Sequence, residues 1–175
     1  QAQEVGVKPI IGCELYLMAE GDYRDKGTKV KPNHITVLAS NEAGYKNLSK
    51  LVSEAYVNGF YYKPRVDMNL LAENADGLVC LSGCLNGVLS RNVLNGNMDQ
   101  ADQYARRLRD IFGEENFFIE LQNHGIPEQK QILDPLYDIA QKLGLPMVAT
   151  NDCHYLNADD YEAHDVLLCI GTGKM

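Results

Sequence analysis

The sequence predicts an α/β fold made of successive βα units. Five short apolar runs are candidate strands, and they are continuous rather than alternating, which is typical of strands buried on both faces of a parallel sheet. Amphipathic helical periods separate most of these runs. Units of this kind join into an open doubly wound sheet or a barrel, and their spacing alone does not distinguish the two. With 175 residues, the chain is long enough for one domain with a substantial core.

The candidate strands are short runs rich in branched and aromatic side chains. They cover residues 9–13, 35–39, 78–82, 117–121 and 146–150. Two stretches interrupt the pattern, because residues 19–33 are polar and contain glycine and residues 61–65 read Tyr-Tyr-Lys-Pro-Arg. We expect both of these stretches to be irregular.

Apolar residues spaced three and four apart predict helices over 42–57, 98–112 and 128–143, and a further helix is expected over 159–170. Asn97 is the candidate N-cap of the second helix. Gly144 stands where the third helix should end. Pro135 should kink the third helix or delay its regular part, because proline removes a backbone hydrogen-bond donor.

Charge and composition exclude several classes of protein. The chain has 16 Lys and Arg against 24 Asp and Glu, a net charge of −8, which disfavours a broad basic surface for nucleic acid but is compatible with a cation site. No run approaches the ~20 apolar residues of a membrane span and no signal peptide is visible, so we expect a cytoplasmic protein. The five cysteines are odd in number and irregularly spaced, which predicts reduced thiols. No Walker loop, dinucleotide glycine fingerprint or Gly-x-Ser-x-Gly motif occurs.

Side chains that can bind a metal follow four of the five candidate strands. In parallel βα folds, functional side chains lie at the carboxyl edge, where strands end and loops begin. Carboxylate, imidazole and thiolate groups together suit Zn²⁺, and the carboxylates and imidazoles also suit Mn²⁺ or Fe²⁺. The candidates in chain order are Glu14, Cys84, His124, Asp152 and His154.

Each candidate metal ligand can also be explained by a purely structural role. Asp152 and His154 favour function, because two ionisable side chains beside an apolar run are costly unless they are used. Glu14 could equally meet solvent, His124 could equally be a turn residue, and an isolated Cys84 more often packs as an apolar residue. His34 precedes its strand and would lie at the opposite edge of the sheet from the candidates, so we expect it to be structural. Structural or packing roles are also expected for His164, Cys13, Cys80, Cys153 and Cys169.

Six motifs follow one another along the chain: Lys8-Pro-Ile-Ile-Gly-Cys-Glu14; His34-Ile-Thr-Val-Leu-Ala39 followed by Asn41-Glu-Ala-Gly-Tyr-Lys-Asn-Leu48; Gly59-Phe-Tyr-Tyr-Lys-Pro-Arg65; Leu81-Ser-Gly-Cys84; Phe118-Ile-Glu-Leu-Gln-Asn-His-Gly125; and Ala149-Thr-Asn-Asp-Cys-His-Tyr155. In order and spacing, these motifs resemble the polymerase and histidinol phosphatase (PHP) domain at the N-terminus of the bacterial replicative DNA polymerase III alpha subunit. The resemblance extends over essentially the whole chain.

The resemblance implies a distorted TIM-like (β/α)7 barrel of the PHP type, present here as a partial barrel. It implies up to three metal ions at the carboxyl edge, with Glu14, Cys84, Asp152 and His154 as ligands and His124 beside them. Asp152 and His154 would then be catalytic. The family's His-x-His and Thr-Asp-His motifs are not found in this sequence, and the chain opens on what reads as the tail of a helix. We therefore expect residues 1–175 to be a fragment of a PHP domain, without its first strands and without the downstream polymerase domains.

The resemblance also implies a function within DNA-directed DNA synthesis, with metal-dependent phosphoester hydrolysis that could remove misincorporated nucleotides from a 3′ end. The implied cofactors are Zn²⁺, Mn²⁺ or Fe²⁺ in this domain and Mg²⁺ in the absent polymerase domain. The implied partners are DNA, bound mainly by those absent domains, a proofreading exonuclease subunit and the sliding clamp, with no membrane.

Two alternative functions remain open. The domain could be non-catalytic and bind a separate proofreading subunit, or it could be a free-standing PHP phosphatase of small phosphate esters. In either case we expect the chain by itself to bind metals weakly and to show little activity, because a partial ligand set leaves cations exchangeable.

Overall fold

The computed structural model of the chain describes residues 1–174, which form seven strands, six α-helices and two short 3₁₀ helices. The strands are β1 (Gly12–Met18), β2 (Asn33–Ala39), β3 (Phe60–Tyr61), β4 (Lys63–Asp67), β5 (Leu78–Leu81), β6 (Phe117–Leu121) and β7 (Met147–Ala149). The α-helices are α1 (Glu42–Val57), α2 (Met68–Glu73), α3 (Val88–Leu94), α4 (Met98–Phe112), α5 (Pro127–Leu143) and α6 (Tyr161–Thr172). The 3₁₀ helices are Gln3–Val5 and Ala158–Asp160.

All seven strands belong to one mixed sheet with the order β3-β4-β1-β2-β5-β6-β7. Strands β4 and β1 are parallel to each other, as are β5, β6 and β7, whereas β2 and β3 run against their neighbours. The α/β class predicted from the sequence is confirmed. The five strands that share one direction end at the same edge of the sheet, which we call the carboxyl edge.

The direction of β2 differs from the parallel sheet that the apolar runs predicted. β2 pairs antiparallel with β1 and with β5, and it places His34 opposite Tyr16. Its side chains alternate, because Ile35 and Val37 are buried while His34 is only partly buried, a pattern typical of a strand with one covered face. A reversed strand begins at the edge where its neighbours end. His34 therefore lies at the carboxyl edge, and our expectation that it would lie at the opposite edge was wrong.

The hydrophobic core lies between the helices and one face of the sheet. Leu17 of β1 and Val37 of β2 are fully buried on this face. The helices contribute the buried residues Leu48, Leu51, Leu108, Leu136 and Ile139, among others. On the opposite face of β1 and β2, which we call the open face, Glu14, Tyr16 and His34 keep part of their surface exposed. Polar side chains on the open face are therefore accessible.

Three helices follow the predicted amphipathic periods closely. The observed bounds of α1, α4 and α5 agree with the predicted ranges to within one residue. Gly144 ends α5 in the left-handed conformation, as expected. Pro135 lies inside α5 and does not delay it, since the helix already begins at Pro127. Asn97 precedes α4, but its side chain makes no capping hydrogen bond.

Other elements differ from the sequence-based expectation. Residues 61–65, which we expected to be irregular, lie within the hairpin that β3 and β4 form over residues 60–67, and α2 and α3 were not anticipated. The first strand lies further along the chain than residues 9–13, because Ile10 and Ile11 are 70% and 52% exposed and precede the sheet. As a result, Glu14 lies inside β1 rather than after it.

Helix α6 carries no buried residue, although Val166, Leu167, Leu168 and Ile170 are apolar. Its length is 12 residues. Among residues 1–174, no helix has the length and apolar character that crossing a membrane requires.

Candidate metal centre

A cleft of about 680 Å³ lies at the carboxyl edge, where the segments that follow β5, β6 and β7 meet. Four of the five side chains predicted as metal ligands line this cleft, namely Cys84, His124, Asp152 and His154. The fifth, Glu14, lies on the open face of β1, where a hydrogen bond from His34 and, to a smaller extent, the charge of His154 lower the pKa of its carboxyl. The fold thus brings candidates from four strands to one part of the molecule.

Glu14, His34 and Cys84 form a cluster on three adjacent strands or their ends. The Oε1 atom of Glu14 lies 2.8 Å from Nδ1 of His34, and Sγ of Cys84 lies 3.6 Å from the same nitrogen. His34 is held in place by the ring of Tyr16, which meets it edge-on with 5.2 Å between ring centroids. Sequence reasoning missed His34, because its place at the carboxyl edge depends on the reversed direction of β2.

The electrostatics of this cluster follow from its hydrogen bonds. The bonds to Cys84 and then to Glu14 raise the pKa of His34 from 6.5 to about 9. The bond from His34 lowers the pKa of Glu14, against the opposing effect of partial burial. At neutral pH, His34 is therefore a cation that donates to a carboxylate. A metal ion that binds Nδ1 of His34 must first displace this proton.

Asp152 and His154 occupy a tight loop after β7. Asp152 adopts a positive φ of 47°, which is strained for a residue other than glycine and is common at functional sites. Nδ1 of His154 lies 2.7 Å from the backbone oxygen of Asp152, and 4.0 Å from its Oδ1 atom. Because a carbonyl oxygen can only accept, Nδ1 of His154 carries the proton, and in the neutral ring Nε2 keeps its lone pair for a metal or a proton.

His124 is hydrogen-bonded to Gln129, both through its backbone and through its ring. The Oε1 atom of Gln129 accepts from the backbone N–H of His124 at 2.7 Å, which identifies the other terminal atom of Gln129 as its nitrogen. That nitrogen lies 2.8 Å from Nδ1 of His124 and donates to it. The Nδ1 lone pair of His124 is therefore used within the protein, and a ligand role for His124 stays a prediction.

The buried carboxylate of Glu120 joins the ends of three strands beneath the cleft. Its Oε2 atom accepts from the backbone N–H of Gly83 at 3.0 Å, and its Oε1 atom accepts from the hydroxyl of Thr150 at 2.6 Å. The backbone N–H of Glu120 donates to Ser82 Oγ at 2.9 Å. Glu120 thereby ties the segment that carries Cys84 to the segment that carries Asp152. Sequence reasoning missed it because only residues that follow a strand were considered as site candidates, and Glu120 lies inside the 117–121 run.

The donor types of the cluster fit a borderline cation such as Zn²⁺, because Glu14, His34 and Cys84 supply a carboxylate, an imidazole and a thiol that can ionise. Their present geometry is that of a hydrogen-bonded cluster. Within residues 1–174, no three His, Cys, Asp or Glu side chains surround a common point as metal ligands do. The chemistry of the residues thus matches a metal site, while the spacing is set by the bonds to His34.

Comparison with protein families decides the affiliation of this fold and cleft. The family model for the PHP domain matches residues 1–124, which include β1 to β6 and three of the five predicted ligands. The chain belongs to the PHP domain family. The predicted fold class, a partial (β/α)7 barrel of the PHP type, is therefore confirmed by a PHP-domain match on a mixed α/β sheet.

Similar proteins confirm the more specific resemblance drawn from the motifs. The chain is 49% identical over 171 residues to the DNA polymerase III subunit alpha of Treponema pallidum (strain Nichols) and 47% identical over 173 residues to that of Thermus aquaticus. Each match covers 97% of the chain. The chain spans only 15% and 14% of the length of these two relatives.

The cysteines and His164 complete the comparison with the sequence. All five cysteines are free thiols, as predicted. Cys80 is fully buried, and burial raises its pKa well above the ordinary value. Cys153 is exposed, so the packing role expected for it was wrong. The ring of His164 faces the cleft beside those of His154 and Tyr155, at centroid distances of 5.7 and 5.2 Å.

Proposed function

We propose that residues 1–175 are the PHP-domain portion of the alpha subunit of a bacterial replicative DNA polymerase. The similarity to two DNA polymerase III alpha subunits over 97% of the chain supports this proposal. In that setting the protein is cytoplasmic, DNA and Mg²⁺ are bound mainly by other domains, and the partners include a proofreading exonuclease and the sliding clamp. Sequencing the adjoining coding region tests the proposal, since a polymerase palm domain should follow and a nearby stop codon would contradict it.

We further propose that the cleft is a metal-dependent phosphoesterase site with 3′–5′ exonuclease activity. The observation that carries this proposal is the convergence of Glu14, His34 and Cys84 beside a cleft that Asp152 and His154 line. A divalent cation such as Zn²⁺, Mn²⁺ or Fe²⁺ bound there supplies Lewis-acid activation of water and of a phosphoryl oxygen. His34 joins the predicted ligands in this proposal.

The residues of the chain divide the remaining work. Glu14 and Cys84 would hold the cation, the first from β1 and the second from the loop after β5. Asp152 would contribute a second carboxylate from the loop after β7. His154 can accept a proton at Nε2, because its Nδ1 proton is engaged by the backbone. Glu120 fixes the two loops relative to each other through its hydrogen bonds to Gly83 and Thr150.

Cobalt substitution tests the metal site directly. Co²⁺ bound to a thiolate gives a sulfur-to-cobalt charge-transfer band, which titration of the 175-residue chain should produce with weak affinity. Cys84→Ser should abolish the band. Cys153→Ser is the matched control, since Cys153 is an exposed thiol in the neighbouring loop, and it should keep the band. A band that survives in Cys84→Ser and disappears in Cys153→Ser would contradict the assignment.

Hydrolysis is tested separately with Mn²⁺ or Zn²⁺ and a 5′-labelled single-stranded oligonucleotide. The chain should remove nucleotides slowly from the 3′ end, and Asp152→Asn should abolish the removal. Asp159→Asn, in the 3₁₀ helix that follows the loop, is the matched control and should keep it. Equal activity in wild type and Asp152→Asn would refute the catalytic role, and metal binding without any hydrolysis would favour a structural role for the domain.

A further inference from the structure

A second pocket of about 380 Å³ lies beside the candidate metal centre and is unlike the rest of the surface in charge. It is formed by the loop between β1 and β2 and by the β3–β4 hairpin. Its lining contains four cationic residues and no acidic residue, namely Lys29, Lys31, Lys63 and Arg65. The whole chain, in contrast, has an excess of eight negative charges. A concentration of cations of this kind attracts an anion.

Arg65 is the most unusual member of the pocket, because it is a buried cation without a counterion. Only 2% of its surface is exposed, its Nε–H donates to the backbone oxygen of Gly59 at 3.1 Å, and its Nη2 atom has no hydrogen-bond partner within residues 1–174. The nearby carboxylate of Asp22 is engaged by Arg24 at 2.8 Å. An unpaired buried charge is costly unless an anion from outside compensates it.

Two tyrosines give the pocket an aromatic wall. The ring of Tyr61 lies 5.2 Å from the guanidinium carbon of Arg65 and 4.6 Å from the ring of Tyr62. Tyr62 is 82% exposed and has a positive φ of 58°, so the tight hairpin holds an apolar ring out in solvent at a cost in backbone strain. An exposed ring beside cations is the arrangement on which nucleic-acid bases stack while their phosphates are neutralised.

The pocket and the candidate metal centre lie on the same open face of the sheet. Tyr16 pairs with Arg65 on one side and with His34 on the other, so the three residues stand side by side on β4, β1 and β2. The ring of Tyr16 also contacts both sites, since Nζ of Lys63 lies 5.2 Å from its centroid and the His34 ring lies at the same distance. Two strand spacings separate Arg65 from His34 by about 10 Å, so the two sites lie within reach of one short segment of a DNA strand.

We propose that this pocket, lined by residues 28–32 and by Tyr61, Tyr62, Lys63 and Arg65, is a binding site for single-stranded DNA. The exposed lysines neutralise backbone phosphates, the buried charge of Arg65 adds positive potential beneath them, and Tyr62 stacks on a base. A strand held there leads across β1 toward Glu14 and His34. This direction of the strand rests on the proposed phosphoesterase function, whereas the binding itself requires no metal.

Fluorescence anisotropy with a labelled oligothymidylate in EDTA tests the binding independently of any metal chemistry. Tyr62→Ala should weaken binding about tenfold through loss of stacking, and Tyr62→Phe, which keeps the ring, should bind as wild type does. In the double variant Lys29→Gln, Lys63→Gln, affinity should depend less steeply on salt. The magnitude of the slope of log affinity against log salt should fall by about 1.4, because each phosphate contact of a single strand contributes about 0.7. The matched double variant Lys46→Gln, Lys50→Gln on α1 should leave the slope unchanged.

Three results would overturn the proposal. The first is the absence of binding at low salt. The second is an equal loss of affinity in both lysine pairs, which would show attraction by overall charge. The third is duplex DNA bound as tightly as the single strand with no dependence on Tyr62. Because EDTA removes cations, a chain that binds no metal can still pass this test, so failure of the proposed hydrolysis and failure of this inference are distinguishable.

Discussion

Replacing Glu120 by glutamine should destabilise the chain, because an amide cannot accept all the hydrogen bonds that the carboxylate accepts. Glu120 is 6% exposed. Its Oε2 atom accepts from the backbone N–H of Gly83, and its Oε1 atom accepts from Thr150 and, at 3.2 Å, from Gln122. The amide oxygen of glutamine can replace only one of these two atoms. The NH₂ group of the glutamine must then take the place of the other oxygen, where it faces an N–H or O–H donor and cannot accept a hydrogen bond.

The magnitude follows from the number of bonds lost. A hydrogen bond to a charged group contributes about 1.5–3 kcal/mol, and a buried donor left unpaired costs about 1–3 kcal/mol. The neutral side chain recovers part of the desolvation energy of the carboxylate, which offsets some of this loss. We therefore expect Glu120→Gln to lower the free energy of unfolding by about 2–3 kcal/mol. For a chain of this length that corresponds to a fall in Tm of about 4–12 °C.

Urea unfolding followed by far-UV circular dichroism in EDTA measures this change without interference from cations. Glu42→Gln is the matched control, because Glu42 is 82% exposed and pairs only with Lys46 on α1, so the change should stay below about 0.5 kcal/mol. A Glu120→Gln variant that unfolds within about 0.5 kcal/mol of wild type would refute the role assigned to the carboxylate. In the cobalt titration, the same variant should also bind the cation more weakly, because the loop that carries Cys84 is no longer fixed.

Two further predictions concern helix packing and pH. Gly44→Ala should destabilise the chain by about 1–3 kcal/mol or more, because the new Cβ would overlap the backbone oxygen of Gly77. Gly171→Ala in α6, where a Cβ meets nothing within 4 Å, should be neutral or stabilising. Equal effects of the two changes in urea unfolding would contradict this account. The pKa of His34 is raised from 6.5 to about 9 in the folded chain, so its contribution to stability is fully present below pH 6.5 and is lost as the pH rises through about 9. In EDTA, the urea midpoint of wild type should fall over this range relative to that of His34→Gln, and parallel pH profiles would show that the cluster does not stabilise the imidazolium.

Local patterns were sufficient to predict the long helices and the buried strand β6. Helices α1, α4 and α5 have unbroken amphipathic periods, and periodicity over 15 or more residues is a strong signal. The short elements β3, β4 and α2 have two, five and six residues, and β4 also contains Pro64, so no period could develop. Ile10 and Ile11 shifted the first predicted strand, because an apolar run does not reveal whether its residues are covered.

The candidate site was predictable where it depends on the ends of parallel strands. Cys84, Asp152 and His154 follow strands whose direction was correctly inferred, and the cleft contains all three. The sequence did not predict His34 and Glu120 as site residues, for different reasons. The place of His34 depends on the direction of β2, which is a property of the whole sheet. The role of Glu120 depends on Gly83, which follows β5, and on Thr150, which follows β7, and no local pattern encodes these contacts.

The reversal of β2 also determines where the sequence can change safely. In a parallel pair, the connection must travel from one edge of the sheet to the other, and its length is constrained by that crossing. Here the connection between Met18 and Asn33 leaves and re-enters the sheet at the same edge. Ala19 and Tyr23 in this connection are buried in the core, but residues 24–31 are mostly exposed. That exposed part can therefore gain, lose or exchange residues without altering the strand order or the core. Evolution and protein engineering can thus adjust the charge and shape of the second pocket while the candidate metal centre stays intact.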